Sequence, residues 1–139
     1  MLQIVLDTNI IVSSLASTSA YHAIIESYFN DAFCLCISNE ILLEYEEILK
    51  KKYNAQTADF FINAVLINPT TIFSTIHYKW QLINSDIDDN KFVDCALQNN
   101  AILVTNDKHF NALKQSSFPV LNILNITEFI ALLTSNEIR

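Results

Sequence analysis

Four short runs of the chain are almost wholly apolar: "LQIVL" (2–6), "FCLCI" (33–37), "AILVT" (101–105) and "VLNIL" (120–124). Continuous rather than alternating hydrophobicity suits parallel strands covered on both faces. Helical spacing of apolar residues fills the intervals and predicts helices over 19–30, 38–53, 57–67, 89–100 and 126–136. Ser38 stands where an N-cap belongs, Lys50, Lys51 and Lys52 close the same helix, and Asn68 and Pro69 end the next. Residues 70–85 begin with β-branched side chains and then lose any period, which predicts a strand followed by irregular chain. Strands alternating with helices imply right-handed βαβ units. The expected fold is α/β, a three-layer αβα sandwich around a central, mainly parallel sheet, in one domain over residues 1–139.

Composition narrows the function. A net charge of -7 repels a polyanion, so any role on nucleic acid has to be local or carried by a cation. The chain has no glycine, which excludes the glycine-rich phosphate loops of dinucleotide and P-loop proteins. No apolar run reaches the roughly 18 residues of a membrane helix, and the N-terminus has no basic region, apolar signal core or small-residue cleavage site. The cytoplasm is the expected compartment. Cys34, Cys36 and Cys95 show neither a CxxC pair nor zinc-site spacing and read as buried apolar residues.

The carboxylates fall at telling places. Ligands of parallel α/β sheets gather beyond the carboxyl ends of the strands. Asp7 follows the first apolar run directly, and Asp107 follows "AILVT" after one intervening residue. Asp89 opens the helix that leads into that strand. Glu44 lies inside the 38–53 helix among Ile41, Leu43 and Ile48, and helical side chains lean back toward the helix start. Each has an ordinary reading too: Asp7, Asp89 and Asp107 can cap turns or helices, and Glu44 can face solvent. Converging acids are another matter, because two like charges about 4 Å apart repel by roughly 4 kcal/mol at an effective dielectric near 20. A divalent ion removes that cost, and oxygen ligands select Mg²⁺ or Mn²⁺, suited to phosphodiester hydrolysis.

The ordered set "VLDTNIIVSSL", "ISNEILLEYEEIL", "DIDDNKFVDCAL" and "AILVTNDKHF" resembles the PIN domain, particularly the VapC-like ribonuclease toxins of bacterial toxin-antitoxin systems. The resemblance runs from residue 2 to about residue 124. It implies a Mg²⁺- or Mn²⁺-dependent endoribonuclease with Asp7, Glu44, Asp89 and Asp107 as its catalytic, metal-binding acids. RNA is then the substrate, a cognate antitoxin the silencing partner, and a homodimer the expected assembly. Where the family often carries glycine before the fourth acid, Asn106 stands here. Asp88 and Asp94 are alternatives for the third acid; Asp94 is roughly 140° around the helix from Asp89, so one of the two should face away. Thr8, Asn9, Ser38 and Thr105 can orient ligands or contact phosphate, as can Lys91 and Lys108 near the acids. His109 could act as a general base, although a histidine in the first turn of a helix is more often structural.

Two other functions compete. A haloacid-dehalogenase-like phosphatase would use Asp7 as nucleophile, yet it wants a second Asp two residues later, where Asn9 stands. A non-catalytic interaction module would present the acids to a basic partner.

Overall fold

The computed structural model describes residues 1–137. Strands β1 (Gln3–Leu6), β2 (Cys34–Ile37), β3 (Thr71–Phe73), β4 (Ile102–Val104) and β5 (Ile123–Leu124) form one sheet in the order β3-β2-β1-β4-β5, every pair parallel. Such strands are covered on both faces and need apolar side chains at successive positions. Ile4, Val5 and Leu6 are fully buried, as are Leu35, Cys36 and Ile37. The chain steps outward from β1 to β2 and β3, then crosses back to β4 on the other side of β1. With right-handed crossovers, that reversal puts helices on both faces, which gives the three-layer α/β sandwich the sequence pattern predicts.

The helices are α1 (Thr8–Leu15), α2 (Ala23–Phe29), α3 (Asn39–Lys52), α4 (Ala55–Ile67), α5 (Asn90–Asn99) and α6 (Ile126–Glu137). Ser38 caps α3 as expected, its hydroxyl accepting from the Ile41 N–H. Asn54 caps α4 through a 2.7 Å bond from the Thr57 N–H, so that helix starts two residues before the predicted position 57. The pattern assigns nothing to residues 8–15, where α1 lies. Thr8, Ile10, Ile11 and Val12 are β-branched and form helix poorly on their own. Packing overrides that preference: Ile10 and Ile11 are buried and α1 lies against α3.

Beyond β3 the predicted irregular stretch is an ordered strap along α5. His77, Trp80 and Ile83 donate their N–H groups to the side chains of Gln98, Asp94 and Asn90 at 2.9, 3.0 and 2.9 Å. Those three acceptors sit four residues apart on α5 and therefore share one face. The strap thus runs antiparallel to the helix, from its last turn to its first.

Candidate functional site: an acidic corner at the sheet's switch point

The strand order reverses between β1 and β4, and open parallel sheets bind ligands at such a switch point. Asp7 leaves β1 there and Thr105 leaves β4. The Asp7 N–H donates to the Val104 carbonyl at 3.0 Å, and the Thr105 hydroxyl donates to Asp7 Oδ2 at 2.7 Å. Asp7 makes no side-chain capping bond to α1, so its carboxylate faces the neighbouring strand end instead. The Asp107 N–H donates to Thr105 Oγ1 at 3.0 Å, which ties the fourth acid to the same threonine.

Asp89 ends a 3-10 turn (Ile87–Asp89) that runs straight into α5, and it caps nothing with its side chain. Its Oδ2 lies 3.1 Å from His109 Nδ1, and the same imidazole nitrogen lies 3.4 Å from Asp107 Oδ1. Asp107 also accepts from the His109 N–H at 2.9 Å, capping the 3-10 segment Lys108–Gln115, where the sequence had implied a helix. His109 therefore links the third acid to the fourth. Glu44 approaches from α3: its Oε2 accepts from the Thr8 hydroxyl, and its Oε1 lies 2.7 Å from Lys91 Nζ.

The electrostatics follow from this crowding. Burial pushes the Asp7 carboxyl up to about 6; the Thr105 bond opposes the rise, and the charges of Asp89, Glu44 and Asp107 add to it. Asp7 thus feels all three of the other acids. Burial also raises Asp89, against the pull of its His109 bond. The bond to Asp89 raises His109 in turn.

Several expectations change here. Lys91, read as a phosphate contact, has a nearly buried side chain locked to Glu44. Asp94 faces the strap, where it holds the Trp80 N–H, and does not join the acids. Asp88 is exposed and gives its N–H to Asp86 at 3.1 Å. Asn106 needs no glycine in its place, because its φ is not positive; its side chain accepts from the Ile126 N–H at the start of α6. Cys36 and Cys95 are buried thiols pushed up to about 12 by desolvation, while Cys34 is only half-buried. Among the described residues, Asp86, Asp89 and His109 are the group whose ligand atoms all lie within 4.8 Å of one another. Asp86 was not a sequence candidate. The acidic run "DIDD" (86–89) was its only signal, and it lies in chain without a period.

An all-parallel sheet with carboxylates at its switch point defines an α/β class of protein. Residues 3–109 match the PIN domain family, and the chain belongs to that family. Its fold is shared by a chain of the VapBC2 structure from Rickettsia felis, solved bound to a DNA fragment from their promoter. That likeness has 19% identity and a TM-score of 0.62, covering 89% of this chain and 98% of that one. It is also shared by VapC20 of Mycobacterium tuberculosis, a sarcin-ricin loop cleaving toxin, at 14% identity and a TM-score of 0.60, over 86% of this chain and 98% of that one. No curated protein matches the sequence significantly. No helix among the described residues is long and apolar enough to cross a membrane.

Proposed function

We propose that the chain is a divalent-metal-dependent endoribonuclease, the toxin of a toxin-antitoxin pair, with Asp7, Glu44, Asp89 and Asp107 as its acid set. The observation that carries this reading is Asp7, a residue 7% exposed at the switch point whose carboxyl feels the charges of the other three acids. So many buried and half-buried acids are unfavourable together without a cation. The donor set that lies within 4.8 Å fits Mg²⁺ or Mn²⁺: carboxylate oxygens from Asp86 and Asp89, with Asp107 beside His109, and one imidazole nitrogen from His109 that tilts the preference toward Mn²⁺. Such an ion, once bound, offsets the charge of a scissile phosphate and lowers the pKa of an attacking water.

The chain's own residues prepare that corner. Thr105 holds Asp7 and the backbone of Asp107, and His109 holds Asp89 against Asp107. Lys91 and Thr8 hold Glu44. With a net charge of -7, RNA has to be engaged at this corner rather than over the surface at large.

The toxin reading also calls for protein partners, an antitoxin and a second copy of this chain. An apolar groove of about 450 Å³ between α2 and α4, lined by Ile25, Phe29, Phe60 and Phe61, supports it, with Phe60 78% exposed. The test is RNA cleavage by the purified protein with Mn²⁺ and with a chelator. Cleavage that needs Mn²⁺ and disappears in Asp7→Asn supports the reading; cleavage indifferent to that substitution discards it.

A further inference from the structure

Lys91 sits where a lysine is doubly disfavoured. It is the second residue of α5, at the positive end of the helix, and its side chain is only 11% exposed. The other lysine pairs differ in kind: Lys50–Glu46 and Lys51–Glu47 are solvated contacts within one helix. The Lys91–Glu44 pair instead joins α5 to α3 at 2.7 Å, and Glu44 spends its remaining oxygen on the Thr8 hydroxyl.

We infer that Lys91 is a resident counter-cation of the acidic corner, which occupies Glu44 and limits the corner to one divalent ion. The inference rests on the metal-dependent reading above and specifies its stoichiometry. Asp7, Glu44, Asp86, Asp89 and Asp107 bring five negative charges. Lys91 cancels that of Glu44, and a single divalent ion leaves two of the other four uncompensated. Without Lys91, Glu44 is free and a second divalent ion brings the corner back near neutrality.

Mn²⁺ titration of the purified chain, by calorimetry and by the loss of the free-ion paramagnetic resonance signal, tests this without any nuclease assay. The wild type is expected to bind one ion, Lys91→Arg one and Lys91→Met two. Lys91→Gln, which keeps a polar group at this nearly buried position and does not depend on Lys91→Met folding, is likewise expected to bind two ions. Two ions on the wild type, or one on a folded Lys91→Met or Lys91→Gln, overturns the inference while leaving the nuclease reading standing. A wild type that binds no Mn²⁺ overturns both.

Discussion

Asp7→Asn should make the metal-free protein more stable while abolishing its activity. The Asp7 carboxyl ordinarily titrates at 3.8 and is pushed up to about 6 in the fold. The folded chain therefore keeps a proton that the unfolded chain releases, so stability falls as pH rises from 3.8 to about 6 and stays lowered above. The gap is worth about 3 kcal/mol at pH 7.5, roughly half of that at pH 5, and almost nothing below pH 3.8. Asparagine keeps the shape and an oxygen for the Thr105 hydroxyl but carries no charge. For a chain of 139 residues, about 3 kcal/mol corresponds to a rise in Tm of roughly 8–12 °C. Thermal melts of both proteins in a chelator, at pH 5 and pH 7.5, measure it. Equal Tm values at pH 7.5, or the same gain at both pH values, would refute the reasoning.

Two further substitutions separate the strap from the site. Asp94→Ala removes the acceptor of the Trp80 N–H and should cost about 1–3 kcal/mol in urea denaturation, with a shift in the fluorescence of the single tryptophan. Asp94→Asn should recover most of that loss, and neither change should alter Mn²⁺ affinity. His109→Ala should weaken Mn²⁺ binding by calorimetry at least tenfold, and Mg²⁺ binding less, because the imidazole nitrogen matters more to the softer ion. Equal losses for the two ions would remove His109 from the set of ligands.

The strands and the order of the acids were legible because both follow from local rules. A parallel strand covered on both faces shows as an unbroken apolar run, as in 2–6 and 33–37. The acids at strand ends and helix starts were then placed by topology, and the angle between Asp89 and Asp94 correctly implied that one of them faces elsewhere. What escaped depends on distant contacts. Helix α1 forms against α3 despite its β-branched residues, and Lys91 meets a glutamate 47 positions earlier on another helix. Asp86 and His109 come together only because the turn before α5 folds against the chain after β4.

The account stands or falls on whether this corner takes up a metal ion. Anomalous scattering from a Mn²⁺-soaked crystal locates one directly. The account predicts a single peak per chain, bonded to Asp86, Asp89 and His109; a fully soaked crystal with no peak at these residues would contradict it.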